Sequence, residues 1–156
     1  MSLQKLWEKY RQETVFNYSV LPKELRKKGE CLELDARCMI VSRGEFPHWI
    51  YFILEGTVTG IREYADGNEY SYFQLDKQNG SIGLLEILAR KDRYIATIVS
   101  TTKVKLLRIE AEVIYEAIME DKSLLRRSMS LLAEDLYQRS GKEGILYYFQ
   151  GIDRVR

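Results

Sequence analysis

Trp49-Ile50-Tyr51-Phe52-Ile53-Leu54-Glu55-Gly56-Thr57-Val58 decides the fold of this chain. Six aromatic or aliphatic side chains in succession favour an extended strand, and Glu55-Gly56 ends it. Upstream, Gly44-Glu45-Phe46-Pro47 is a break. Before that break, residues 31–34 and 38–41 read as short strands around a turn at Asp35-Ala36-Arg37. Downstream, residues 57–64 and 69–76 flank Ala65-Asp66-Gly67-Asn68, whose Asp-Gly step is a hairpin signal. Residues 94–100 and 103–109 form another hairpin pair. Short strands separated by turns every 8–12 residues, roughly, predict a sandwich or barrel, and closing the sheet hides its edges.

Helical patterns flank this β region. Leu3, Leu6, Trp7 and Tyr10 sit at helical spacing within residues 3–15, and residues 16–25 read as a turn with a short helix through Pro22. Arg26-Lys27-Lys28-Gly29 reads as a solvated edge closing this cap. Between the strands, Gly80-Ser81-Ile82-Gly83-Leu84-Leu85-Glu86-Ile87-Leu88 reads as a glycine-rich turn leading into one helical turn. After Ile109, residues 111–119 form a short helix, and Asp121 can cap a longer one.

In the long helix Leu125, Met129, Leu132 and Leu136 are spaced by 4, 3 and 4 residues. That is the seam of a coiled coil, widened here by Leu124 and Leu131. Such a stripe can pack on its own barrel or on a second copy, and its width favours the homodimer. Gly141 and Gly144 are expected to break the helix before residues 145–156 begin another apolar-rich segment.

Composition bounds the function. An apolar fraction of 46% and a charged fraction of 30% are those of a globular domain with its own core. A net charge of +1 lacks the basic excess of a nucleic-acid-binding surface. Nor does any apolar run approach the ~18–20 residues that span a bilayer, and residues 1–15 lack the pattern of a signal peptide, so none is expected. With two cysteines, Cys31 and Cys38, and no disulfide framework, a cytoplasmic location is expected, and composition leaves any redox role for them open. The single histidine, His48, and the two cysteines fall short of the three or four ligands of a metal site. Without a nucleophile elbow or phosphate-binding loop, the chain is not expected to be an enzyme.

The ordered set of elements resembles the cyclic-nucleotide-binding domains of the Crp/Fnr family of transcription regulators over residues 25–140. Gly44-Glu45 resembles the turn before that family's third strand, and residues 50–58 its most recurrent stretch, a strand ended by glycine. Asp66-Gly67 falls at its hairpin tip, and Leu106-Leu107-Arg108-Ile109 resembles its last strand. The resemblance implies a mainly β fold with α elements: a double-stranded β-helix, or jelly-roll-like barrel, with a helical cap, a short cassette helix and a long dimerisation helix. Residues 1–120 would be the effector domain. Residues 121–156 would be the dimerisation helix and the start of a linker to a helix-turn-helix domain.

The same resemblance assigns Gly80, Ser81, Ile82, Gly83, Leu84, Arg93, Tyr94, Ala96 and Thr97 to a ligand-binding cassette. Two of its usual groups are replaced. Ser81 stands where the family carries a glutamate for the ribose hydroxyl. Ala96-Thr97 fixes the register so that Tyr94 stands where the family's phosphate-binding arginine belongs, with Arg93 one residue early and on the opposite face of a strand. Each lost charge-assisted contact is worth about 1.5–3 kcal/mol, so cyclic AMP is not the expected effector. Glu86 and Arg90 are the nearby charges that could substitute. The pocket either takes another small molecule or is filled by side chains, and no cofactor is identified. A cyclic-nucleotide module independent of DNA and a cupin-like barrel enzyme are the alternatives. DNA would be contacted only through another domain, and no membrane partner is expected.

Overall fold

The computed structural model describes residues 2–63 and 70–142. Eight strands form two four-stranded antiparallel sheets. β1 (Glu30–Leu34), β8 (Val104–Glu110), β3 (Trp49–Glu55) and β6 (Ser81–Ile82) make one sheet, in that order. β2 (Met39–Val41), β7 (Thr97–Ser100), β4 (Val58–Glu63) and β5 (Tyr70–Leu75) make the other. The two sheets close into the expected jelly-roll barrel. The hairpin tip around Asp66-Gly67 and the segment 143–156 lie outside the described residues.

β3 explains why its sequence is an unbroken apolar run. Its register with β8 pairs Ile50 with Ile109, Phe52 with Leu107 and Ile53 with Leu106. Ile50 and Phe52 face outward into a core shared with Phe16, Leu25, Ile114 and Ile118. Tyr51 and Ile53 face inward among Val58, Val104 and Leu106. A strand covered on both faces has no polar side to alternate with. At its end Gly56 takes φ +87°, and a β-carbon there would meet the Lys103 carbonyl oxygen at 2.3 Å.

The helices cover the outer face. α1 (Leu3–Lys9), capped by Ser2, is shorter than the periodicity predicts; Leu3, Leu6 and Trp7 remain exposed, and the Tyr10 ring just past its end meets the Arg126 guanidinium at 4.8 Å. A 3-10 turn (Tyr18–Val20) and α2 (Lys23–Arg26) follow. Arg26 is more than a solvated edge: it donates to the carbonyls of Tyr18 and Ser19 and stacks 4.2 Å over the Tyr18 ring. α3 (Leu84–Leu88) interrupts the strands where the glycine-rich turn predicts it.

α4 (Ala111–Glu120) and α5 (Lys122–Lys142) are joined by a single non-helical residue, Asp121. Its carboxylate accepts from the backbone N–H groups of Ser123 and Leu124 at 2.8 and 3.2 Å, as an N-cap should. α5 runs through Gly141 instead of breaking there, since one glycine costs only about 1 kcal/mol in a helix of 21 residues. Leu124 and Leu131 pack on the chain's own core. They therefore do not widen the seam of Leu125, Met129, Leu132 and Leu136, which lies to the other side. The N-terminal segment is tied to the first turns of α5: Glu13 pairs with Arg126 at 3.2 Å, and Arg127 donates to the Gln12 carbonyl. Among the described residues, no helix is long and apolar enough to cross a membrane.

Candidate functional site in the barrel

The cassette begins at β6, where Ser81 and Ile82 pair with Phe52 and Tyr51 of β3. Ile82 points into the barrel core and Leu84 into the outer one. Gly83 caps α3 with φ +98° and lies so close to Ile50, Trp49 and Tyr94 that a β-carbon would sit 3.0–3.3 Å from them. The left-handed backbone favours glycine there, and a β-carbon would also press on Ile50, Trp49 and the Tyr94 ring.

Tyr94 is buried, and it joins three pieces of chain. Its hydroxyl donates to the Trp49 carbonyl at 2.7 Å. Its backbone N–H donates to the Glu45 carbonyl, and its own carbonyl accepts from Gly44 N–H. Desolvation, and after it the influence of Tyr51, raises the phenol well above a tyrosine's ordinary value, so it stays a neutral donor. These loop contacts occupy the backbone of Tyr94, and β7 begins only at Thr97 rather than at residue 94. Glu86, also buried, accepts from Ile95 N–H at 3.0 Å, which fixes residues 91–96 against α3.

The remaining predicted residues separate. Ala96 is buried, and Thr97 accepts from Arg43 N–H through Oγ1 at 3.1 Å. Arg93 is 75% exposed and pairs with Asp92 at 3.6 Å. Of the nine cassette residues, Arg93 and Tyr94 line an open cavity of ≈ 750 Å³ at the barrel mouth, with Arg43, Gly44, Arg62 and Lys91 among its other walls. Gly80, Ser81, Ile82, Gly83 and Leu84 do not line it. Deeper in, Phe73 fills the barrel across from Gly60, its ring lying where a β-carbon of Gly60 would go.

Two features escaped the sequence. Arg62 sits on the same face of β4 as the fully buried Val58, with Nε buried and without a hydrogen-bond partner. Alternation along β4 is the signal that could have found it, but Ile61, at odd spacing from Val58, blurs that signal. The second is an apolar hollow of ≈ 710 Å³ outside the barrel, between Phe46, Trp49, Ile87, Arg90 and the start of α4 at Ala111 and Tyr115. Arg90 lines this hollow and not the cavity at the barrel mouth, and one carboxylate oxygen of Glu86 is engaged by Ile95 N–H. Among the described residues, no three His, Cys, Asp or Glu side chains gather as a metal site would need.

Comparison with known proteins agrees with this architecture. The sensor domain of the transcriptional regulator DNR from Pseudomonas aeruginosa is 18% identical, with a TM-score of 0.66 over 91% of this chain and 96% of that one. A transcriptional regulator from Thermotoga maritima is 20% identical, with a TM-score of 0.66 over 80% of this chain and 95% of that one. The catabolite activator protein of Thermus thermophilus is 17% identical, with a TM-score of 0.68 over 84% of this chain, which spans only 62% of that longer protein. At these identities the likeness is one of fold. No curated protein sequence matches significantly. The family model described as "Cyclic nucleotide-binding domain" matches residues 31–121, more than half of the 156. By that match the chain belongs to the cyclic nucleotide-binding domain family.

Proposed function

We propose that the chain is the effector-sensing and dimerisation region of a Crp/Fnr-type transcription regulator. Residues 1–120 bind a small molecule other than cyclic AMP. Residues 121–156 carry the dimer helix and the approach to a DNA-reading domain. The role is regulatory rather than catalytic, and the setting is the cytoplasm. One observation carries the reading: α5 has two apolar sides, and the fold uses only one. Leu124 and Ser128 are 2% exposed on the barrel side, whereas Leu125, Met129 and Leu136 are 43%, 63% and 46% exposed on the other. A 3-4 spaced apolar row left in water is what a parallel partner helix covers. The fold shared with the sensor domain of one transcriptional regulator, and with another transcriptional regulator, supports the same reading.

Met129→Arg should halve the mass measured by light scattering. A wild-type monomer, or an unchanged dimer in the variant, would sink the helix seam. Tyr94 in the place of the cassette arginine supports exclusion of cyclic AMP. Calorimetric titration should accordingly detect no binding tighter than high micromolar, and tight binding would overturn that part of the reading.

A further inference from the structure

We propose that the hollow outside the barrel, between the end of α3 and the start of α4, binds an aromatic carboxylic acid, with Arg90 meeting the carboxylate. The site lies apart from the barrel cassette and stands whether or not the chain dimerises. Lys91 and Asp92 border both openings, but Arg90 and the apolar walls belong to the hollow alone. Pro47 and Ala111 are buried in those walls, and Trp49, Ile87 and Tyr115 are half-buried. Phe46, 55% exposed, adds a third large aromatic residue. Arg108, which does not line the hollow, stands 4.1 Å over the Trp49 ring and holds that wall in place without a ligand. A space of ≈ 710 Å³ with such walls has the size and character of a site for a flat apolar molecule.

Arg90 supplies the independent observation that gives the ligand its charge. α3 ends in a Schellman turn: Lys91 N–H donates to the Glu86 carbonyl at 2.9 Å, and Arg90 N–H to the Ile87 carbonyl at 3.3 Å. Arg90 takes the left-handed position of that turn, with φ +59°. Glycine is the usual residue there, because a β-carbon makes this conformation costly. Arginine holds the position although its side chain, among the described residues, has no hydrogen bond, ion pair or ring contact. Strain kept for a side chain that does nothing for the fold points to a function. The guanidinium fork is suited to a carboxylate. The neighbouring charges narrow the class. Lys91 adds a second cation, and Asp92 is paired with Arg93 at 3.6 Å. Glu110 and Glu112, at the start of α4, disfavour a phosphate ester or a second carboxylate but tolerate an ammonium group. The ligand is therefore an aryl acid with one carboxylate, either a plain acid or an aromatic amino acid.

The test uses the whole chain carrying Trp7→Phe, which leaves Trp49 as the only tryptophan, and follows its emission at fixed ionic strength. The probes are 3-phenylpropionate, phenylalanine, hexanoate and phenethylamine. At least one of the two aromatic acids should change the emission saturably and bind about fivefold or more tighter than hexanoate, with no saturation by phenethylamine. Tighter binding of phenylalanine would identify an amino acid, its ammonium met by Glu110 and Glu112. Tighter binding of phenylpropionate would identify a plain acid. Arg90→Gly should weaken binding about fivefold or more and yet raise the ligand-free Tm by about 1–3 °C, because it relieves the left-handed backbone. Arg90→Lys should keep part of the affinity at an unchanged Tm. An arginine that served only the fold would lose stability on replacement by glycine. A lower ligand-free Tm in Arg90→Gly would thus overturn the proposal, as would an undiminished affinity in that variant, which would place binding elsewhere. Equal binding of hexanoate or phenethylamine, or no saturable response to either aromatic acid, would also overturn it.

Discussion

β3 and α5 are both rich in apolar residues, yet they meet opposite fates. β3 finds partners for both its faces inside the chain: helices outside, barrel core inside. α5 finds a partner for only one, through Leu124 and Leu131, and leaves Leu125, Met129 and Leu136 in water. The lesson is that apolar content alone does not separate a core from an interface. What separates them is whether the geometry of the fold brings a second surface to each face. A central strand is enclosed by construction, whereas a terminal helix is enclosed only along the stripe that touches the barrel.

Substitutions sharpen this contrast when arranged by their cost to the protomer. Phe52→Ala should be the most damaging, about 3–5 kcal/mol by urea unfolding, because it opens a cavity in a strand that cannot collapse onto either side. A loss below about 1 kcal/mol would break the claim that both faces of β3 are filled. Tyr94→Phe should cost about 1 kcal/mol, the worth of the hydrogen bond to the Trp49 carbonyl. That cost has a pH signature. The folded phenol titrates above its unfolded value, so its contribution is complete below about pH 10 and is lost as pH rises beyond that. Wild type should therefore lose stability in strong alkali more steeply than Tyr94→Phe, and parallel curves would remove Tyr94 as the cause. Met129→Arg should change the isolated protomer by less than about 0.5 kcal/mol, although it is expected to separate the dimer.

The same contrast explains what could be read in advance. The strands were legible because turn residues such as Gly56 and Asp35 punctuate apolar runs that the barrel buries. Asp121 was legible because a side-chain carboxylate ahead of a periodic stripe has a local reason to cap a helix. Residues 94–96 were misread as strand because their composition is β-prone, while long-range contacts of Tyr94 with Gly44, Glu45 and Trp49 set their course. No local pattern encodes those contacts. Tyr94 was singled out in advance by its place two residues before Ala96-Thr97. That its ring would lie against Gly83, and that Arg62 from another strand would border the opening, depends on how the barrel closes.

Asp121 has a mechanical meaning beyond capping. With φ −109° and ψ 113°, it is the sole break between α4, which is packed on the barrel, and α5, which extends from it. The joint therefore offers two backbone torsions to any motion passed from one helix to the other. α5 is held to the core as far as Leu131, so the part that carries a motion outward is residues 132–142, about 16 Å at the usual rise. A turn of roughly 10° there would sweep the far end by about 3 Å, or two residues' rise.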